Sequence, residues 1–153
     1  NNRTNIKLQI IMMKLIKIIL TNLLVIFFAI SLPANNDFFK EGLKFYENKK
    51  FDEAKFKFEQ DLVINPKSEK SYLYLSKIFN LQEKKEMEER NLDTVLLLNP
   101  KNEEAIYNLS KLKLKKSDYS ESKKLNDRLL IFCKDYCQKS ENLKIEIENS
   151  IRK

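Results

Sequence analysis

The most reactive side chains in this 153-residue sequence are two cysteines, Cys133 and Cys137, in the segment CKDYC. Because they are four positions apart, we expect them on one face of a helix. In an exported chain an oxidising environment would favour a disulfide, yet the Cβ atoms of such a helical pair are poorly directed for one. The first expectation is therefore two small apolar residues that are buried or half-buried. A strained or intermolecular disulfide, or a redox or metal-binding role, stays open, although two thiols are too few for a structural metal site.

Composition excludes most other catalytic chemistry. The sequence has no histidine, which excludes Ser-His and Cys-His nucleophilic sites, and its single glycine excludes glycine-rich phosphate-binding loops. The carboxylates form no convincing catalytic pair, because Glu146 and Glu148 would lie on different helix faces. The run of Glu86, Glu88 and Glu89 is typical of a solvated helix start. We therefore expect a protein that is not an enzyme, with no catalytic residue, cofactor or bound metal.

The net charge of +7 is concentrated at the N terminus. Residues 1–31 contain Arg3, Lys7, Lys14 and Lys17 and no acidic residue, so the remainder carries 25 basic against 22 acidic residues. These remaining lysines are dispersed among the acids, whereas a nucleic-acid-binding surface needs a basic stripe. We expect no nucleic-acid partner.

The start of the sequence has the composition of a targeting segment. Residues 1–11 precede the first methionine and are interpreted as a non-native or over-extended N terminus. Residues 12–34, MMKLIKIILTNLLVIFFAISLPA, combine a short basic region, an apolar region and small residues near Ser31, which is the anatomy of a secretory signal peptide. The alternative is an uncleaved membrane anchor, because residues 18–36 carry no charge. In that case the protein would associate with the membrane through residues 15–34. A buried helix is a third interpretation. Export to the periplasm or cell envelope is expected, with anchoring to the inner membrane left open.

Helices are the expected class of secondary structure. With one glycine and three prolines, the sequence has too few turn residues for the hairpins of a β-sandwich or barrel. The glycine, Gly42, lies inside the helical pattern FFKEGLKFYE, where glycine is about 1 kcal/mol less favourable than alanine. A second helical pattern places Ala54, Phe58 and Leu62 on one stripe. If the two helices fold back on each other, we expect Gly42 to face Ala54 at a close crossing.

An internal repeat organises the sequence after Pro33. The tripeptide NPK at residues 65–67 recurs at residues 99–101, a shift of 34 positions. The match extends over LVINPKSEKSYLYLSKIF and LLLNPKNEEAIYNLSKLK, which share further residues at the same shift. A period of this length with helical patterning is typical of repeated helix-turn-helix units.

These residues resemble the tetratricopeptide-repeat family. The family pattern of bulky, small, aromatic and proline positions is matched in the first repeat by Phe38, Gly42, Phe45, Phe51, Ala54, Phe58 and Pro66. The resemblance implies an all-α array of helical hairpins, a short α-solenoid of about three repeats. The repeats would span residues 35–68, 69–102 and, in degenerate form, 103–138.

The third repeat departs from the family pattern at its end. It has Lys134 where the first two have Pro66 and Pro100, so its second helix is expected to run past residue 134. A capping helix would follow at residues 139–153, where Leu143, Ile147 and Ile151 form one apolar stripe.

The resemblance also implies a binding surface on the concave face formed by the first helix of each repeat. The positions that contact partners in the family correspond here to Phe39, Leu43, Tyr46, Lys70, Leu73, Lys77, Tyr107 and Lys111, while Gly42, Ala54, Pro66 and Pro100 have structural roles. This aromatic floor edged by lysines suits a protein or peptide partner with acidic and apolar side chains. The family clamp for acidic C-terminal tails is absent, because its positions hold Phe39, Leu43, Tyr74, Glu104 and Asn108.

The sequence therefore predicts an exported protein-interaction module, a scaffold or adaptor of the cell envelope. The alternative is an accessory or truncated non-catalytic subunit of a periplasmic enzyme, such as a repeat-bearing peptidase.

Overall fold

The computed structural model describes residues 12–19 and 37–152. The chain divides into two compact units, Asn1–Asn36 and Asp37–Lys153. In the first unit, residues 12–19 form a helix, α1, while the expectations for residues 1–11 and for the apolar region of residues 20–34 lie outside the described residues. Among the residues that the structure describes, no helix has the length and apolar character needed to cross a bilayer.

The second unit consists of helices joined by short loops. They are α2 (Phe38–Glu47), α3 (Phe51–Ile64), α4 (Glu69–Leu81), α5 (Lys85–Leu98), α6 (Glu103–Lys115), α7 (Tyr119–Leu130) and α8 (Cys137–Ile151). All regular structure in the described ranges is helical, as the sequence predicts. Consecutive helices pair as the hairpins α2/α3, α4/α5 and α6/α7, and α8 packs against α7 and α6.

The hairpins are antiparallel. In the first one, the Lys57 ammonium lies 2.6 Å from the Glu41 carboxylate, near the start of α2. The rings of Tyr46 and Phe51, beside the turn, have centroids 5.5 Å apart. The C-terminal end of each second helix therefore lies beside the N-terminal end of the first helix.

The tight turns of the three hairpins share one geometry. Their left-handed residues are Lys49, Glu83 and Ser117, with φ of 59°, 56° and 61°, and they are 34 positions apart. In each turn the next residue donates its backbone N–H to a carbonyl in the last turn of the preceding helix, as Lys50 does to Phe45 at 2.9 Å. This is the Schellman arrangement, which usually has glycine at the left-handed position.

Gly42 lies at a close crossing of α2 and α3, where its nearest neighbour is an aromatic ring. A Cβ atom added to Gly42 would lie 2.7 Å from Cε1 and 2.8 Å from Cδ1 of the Phe58 ring. The Phe58 ring, one turn beyond Ala54 on α3, is therefore the side chain nearest to Gly42, and the facing of Gly42 and Ala54 stays a prediction. Ala54 is fully buried in the same apolar cluster.

The third hairpin is closed at the equivalent crossing by two serines. The Ser110 hydroxyl donates to the Ser122 carbonyl, and the Ser122 hydroxyl donates to the Ser110 carbonyl, each at 2.8 Å. Both side chains are fully buried. The reciprocal pair satisfies two polar groups that would otherwise be costly inside the array.

The C-terminal helix covers the last hairpin. Leu143 and Ile147 are buried, and the Asn126 amide of α7 donates to the Ser140 carbonyl of α8 at 2.9 Å. The expected third member of the stripe, Ile151, is 52% exposed because it is the last residue of α8 and extends past the hairpin.

The cysteines form a disulfide between residues four apart, with a Cα–Cα distance of 5.3 Å. The expectation of two unpaired thiols on one helix face is wrong, as is that of a second helix running past residue 134. Helix α7 ends at Leu130, so Cys133 lies in the following loop and Cys137 begins α8.

The Glu103 carboxylate accounts for this break in the helix. It accepts backbone N–H groups from Lys134, Asp135 and Tyr136, at distances from 2.9 to 3.1 Å. These N–H groups are therefore not available to an extended α7.

Candidate functional site

A groove of about 360 Å³ lies across the first helices of the three hairpins. Helix α2 contributes Tyr46 to the lining, and α5 contributes Glu88 to the floor of the groove. Helices α4 and α6 provide the remaining walls. The lining residues are Tyr46, Ser76, Lys77, Asn80, Leu81, Glu88, Glu104, Asn108, Lys111 and Lys115.

An ion pair connects the two helices that form most of the groove. The Lys77 ammonium of α4 lies 2.7 Å from the Glu104 carboxylate of α6 and 4.4 Å from the centroid of the Tyr74 ring. Both charged side chains are partly buried, which reduces screening by solvent. Lys77 is therefore already paired in the absence of a partner.

Lys111 and Lys115 of α6 provide two positive charges, which the buried carboxylate of Glu88 offsets only in part. Lys111 lies 5.6 Å from the centroid of the Tyr107 ring, and Lys115 is exposed. Within the described part of the chain neither lysine forms an ion pair. One end of the groove is thus open to a carboxylate.

Glu88 is a buried carboxylate at the floor of the groove. It is 4% exposed and accepts a hydrogen bond from the Asn80 amide at 2.8 Å. Burial raises its pKa, and the Asn80 hydrogen bond and the nearby Lys115 and Lys111 offset part of that shift. The expectation that Glu88 is solvated is wrong, because it occupies the inward position that Ala54 fills in the first hairpin.

One aromatic side chain, Tyr46, forms the other end of the groove and is packed against further rings. The Tyr46 ring meets Tyr74 edge to face at 5.0 Å and also contacts Phe51. Burial raises the pKa of Tyr46, although the positive charge of Lys77 counteracts the shift. The phenol stays neutral at physiological pH, so it offers a hydroxyl beside an apolar ring face.

The loop after α7 supports Glu104 from outside the groove. Burial, the Glu104 carboxylate and the neighbouring Tyr107 together raise the pKa of Tyr136 to about 12. The rings of Tyr136 and Tyr107 have centroids 5.4 Å apart. Glu104 is thus positioned between Lys77 on one side and the Tyr136 phenol on the other.

The hairpin array matches solved structures along most of its length. The first repeat domain of Spaghetti (RPAP3), bound to the HSP90 peptide SRMEEVD, superposes with a TM-score of 0.70 at 16% identity, covering 76% of this chain and 91% of that one. The Yersinia enterocolitica chaperone SycD with a peptide of the translocator YopD gives 0.68 at 13% identity, covering 80% and 96%. The Sgt2 repeat domain of Aspergillus fumigatus gives 0.66 at 18% identity, covering 80% and 84%. The chain has the tetratricopeptide-repeat fold. No family model matches the sequence, and no curated protein matches it either.

On this tetratricopeptide-repeat fold, three of the eight predicted contact residues line the groove: Tyr46, Lys77 and Lys111. Leu73 is 8% exposed and belongs to the apolar core, so little of it is available to a partner. Phe39 packs its ring against Phe58 and Tyr74. The remaining three are the half-buried Leu43, the exposed Lys70 beside the Phe39 ring, and Tyr107, whose ring contacts that of Tyr136 at a tilt of 51°. Of the structural positions, Ala54 is buried and Pro66 and Pro100 lie in exposed loops.

The sequence reasoning missed part of the groove although a signal for it exists. Glu104, Asn108, Lys111 and Lys115 are spaced by four, three and four positions, so they form one face of α6. Only Lys111 was among the expected contacts, because positions were taken from the family pattern rather than from this periodicity.

Proposed function

We propose that the chain is a protein-interaction module whose groove binds a peptide with acidic and apolar side chains. The observation that carries the proposal is the asymmetry of the groove. Its Lys111 and Lys115 end is positively charged and unpaired, while its Tyr46 end is aromatic. An extended or helical segment with a carboxylate on one side and an apolar residue on the other is complementary to both ends.

The charges of the groove favour an acidic partner over a basic one. Glu104 neutralises Lys77, and Glu88 is buried at the floor under the field of Lys111 and Lys115. A partner carboxylate at the two lysines would form charge-assisted hydrogen bonds, and the bond to the half-buried Lys111 would contribute more than the bond to the exposed Lys115, where solvent screens the charge. A basic side chain there would meet like charges.

The structural relatives support peptide recognition in general terms. Two of them were solved with bound peptides, one from HSP90 and one from YopD. The mode of binding is expected to differ from the family clamp for acidic tails, because Phe39 and Leu43 replace its polar groups in α2. The groove lysines lie instead near the C-terminal end of α6.

The proposed place of action is the cell envelope, outside the cytoplasm, with the array serving as a scaffold or adaptor. The basic-then-apolar pattern of residues 12–34 supports export. The exported protein would either lose this segment by cleavage or keep it as a membrane anchor. The disulfide between Cys133 and Cys137 also supports it, because disulfides persist in oxidising compartments.

The test is a selection of random peptides on the immobilised protein, followed by fluorescence anisotropy with the selected sequences. Acidic peptides with apolar residues should be enriched. The double variant Lys111→Glu/Lys115→Glu should weaken their binding by roughly tenfold or more. The matched control, Arg128→Glu/Arg152→Glu, makes the same charge change at exposed positions on α7 and after α8 and should leave the affinity unchanged.

Enrichment of basic peptides, or equal affinity for the groove variant and wild type, would overturn the proposal. Circular dichroism of each variant checks that the helices are intact.

A further inference from the structure

A row of exposed aliphatic side chains runs along the array outside the groove. Val63, Leu97 and Ile131 occupy equivalent positions, 34 residues apart, and are 82%, 82% and 83% exposed. Ile64, beside Val63, is exposed as well. A single exposed aliphatic residue needs no explanation, whereas repetition at the same position of three hairpins gives a continuous surface feature.

These residues all lie at one end of the hairpins, here termed the loop edge. Val63 and Leu97 are in the last turns of α3 and α5, and Ile131 directly follows α7. Because the hairpins are antiparallel, the loop edge also contains the N-terminal ends of α2, α4 and α6. The tight turns at Lys49, Glu83 and Ser117 are at the opposite end.

Each aliphatic residue is followed by an exposed lysine. Lys67 and Lys101 come four positions after Val63 and Leu97, and Lys134 comes three after Ile131. Within the described ranges none of these lysines forms an ion pair. Aliphatic and cationic groups therefore alternate along the loop edge.

Most carboxylates near the loop edge are already engaged. Glu69 accepts hydrogen bonds from the amides of Asn99 and Asn102 at 3.0 and 2.5 Å. Glu103 accepts the three backbone N–H groups of residues 134–136. Asp37 pairs with Lys40 at 2.7 Å, and the exposed Asp135 opposes the lysines. Glu69 and Glu103 keep their negative charge but are half-buried, so the exposed charges of the row, apart from the Asp37–Lys40 pair, are the three lysines and Asp135.

We infer that the loop edge lies on an anionic lipid surface, with the aliphatic row entering the interface and the three lysines at the headgroups. Alternating aliphatic and basic side chains suit such a surface. The row has none of the aromatic and arginine side chains that dominate protein-binding hot spots. The path of the chain agrees, because Asp37 begins the array at the loop edge, directly after the uncharged stretch of residues 18–36.

The test uses the full chain and the fact that it contains no tryptophan. A Leu97→Trp variant places a single indole in the row, and Ile145→Trp places one on α8, at a residue that is aliphatic and 58% exposed. Both variants retain the same N-terminal segment, and the three lysine substitutions described below distinguish binding by the row from tethering through that segment. Vesicles with about 30% anionic lipid, with and without brominated acyl chains, are compared with purely zwitterionic vesicles.

With anionic vesicles, the Leu97→Trp indole should shift its emission to shorter wavelength and be quenched by brominated lipid, roughly threefold more than the Ile145→Trp indole. Adding Lys67→Glu, Lys101→Glu and Lys134→Glu should abolish the difference. Equal quenching of the two indoles, or quenching that is the same with zwitterionic vesicles, would overturn the inference. A concentration-dependent blue shift of Leu97→Trp without vesicles would also overturn it and assign the row to a second copy of the chain.

Discussion

Replacing Gly42 by alanine has two effects of opposite sign on the free energy of unfolding. Alanine is favoured over glycine inside a helix by about 1 kcal/mol. Its Cβ would, however, lie 2.7 Å from Cε1 of Phe58, closer than van der Waals contact allows. The result depends on whether the phenylalanine ring can move away.

The surroundings of Phe58 leave its ring little room. It is fully buried, with ring centroids 5.7 Å from Phe39 and 5.2 Å from Tyr74. Inserting a methylene into such a core costs about 1–3 kcal/mol. Subtracting the gain in helix propensity, we expect Gly42→Ala to lower the free energy of unfolding by about 1 kcal/mol.

Urea unfolding followed by circular dichroism measures this change, with the slope of the transition as a check that the unfolded state is unaltered. The matched control is the same substitution in a Phe58→Leu background, where the smaller side chain removes the clash. There Gly42→Ala should be neutral or stabilising. A stabilisation of the wild-type background would refute the assignment of Phe58 as the residue that requires glycine.

Three further predictions concern one tight turn, the buried carboxylate of Glu88 and the hydrogen-bonded carboxylate of Glu103. Glu83→Gly should stabilise the fold by about 0.5–1 kcal/mol, as measured by urea unfolding. The left-handed conformation costs a non-glycine residue about 1–2 kcal/mol, and glycine removes this cost. The greater conformational freedom of glycine in the unfolded chain offsets part of the gain. Burial raises the pKa of Glu88 above 4.5, so its ionised form weakens the folded state. Glu88→Gln should therefore be more stable than wild type at neutral pH, with the difference vanishing below pH 4.5. The three N–H donors lower the pKa of Glu103 below 4.5, so its contribution is complete above pH 4.5 and is lost as the pH falls through the folded pKa. Melting temperatures of wild type and Glu103→Gln should converge in acid.

Each of these three predictions has an outcome that contradicts it. A destabilising Glu83→Gly would mean that the left-handed turn costs little in this context. A Glu88→Gln variant less stable than wild type at neutral pH would show that Asn80 and the groove lysines outweigh the cost of burial. Melting temperatures of wild type and Glu103→Gln that stay separated by a constant amount across the acid range would exclude titration of Glu103 as the cause.

The helical hairpins could be predicted because they depend on the spacing of residue types along the sequence. The shift of 34 positions between the two NPK segments predicted repeated helical hairpins, and the structure confirms this all-α architecture. The contact of Gly42 could not be predicted to the same precision. Ala54 and Phe58 lie on the same face of α3, one turn apart, so which of them comes nearest to Gly42 depends on the axial register of two packed helices rather than on either helix's pattern.

The groove shows a similar limit. Tyr46, Lys77 and Lys111 could be placed from the family pattern, but Glu88 could not, because a charged residue in a run of charges predicts exposure. Its burial follows from the hairpin geometry, which turns this position inward whatever residue occupies it. The compensating partner, Asn80, comes from the other helix of the hairpin and has no signal in the sequence around Glu88.

The end of α7 shows how two different residues can produce the same structural break. Pro66 and Pro100 follow the ends of α3 and α5, and a proline lacks the N–H that a continuing helix needs. Lys134, at the equivalent position after α7, has that N–H, so the sequence predicted a longer helix. In the structure Glu103 accepts it together with the next two N–H groups, which removes them from any helix as effectively as proline does. The acceptor is the first residue of α6, 31 positions away from Lys134, and a local pattern carries no information about a partner at that distance.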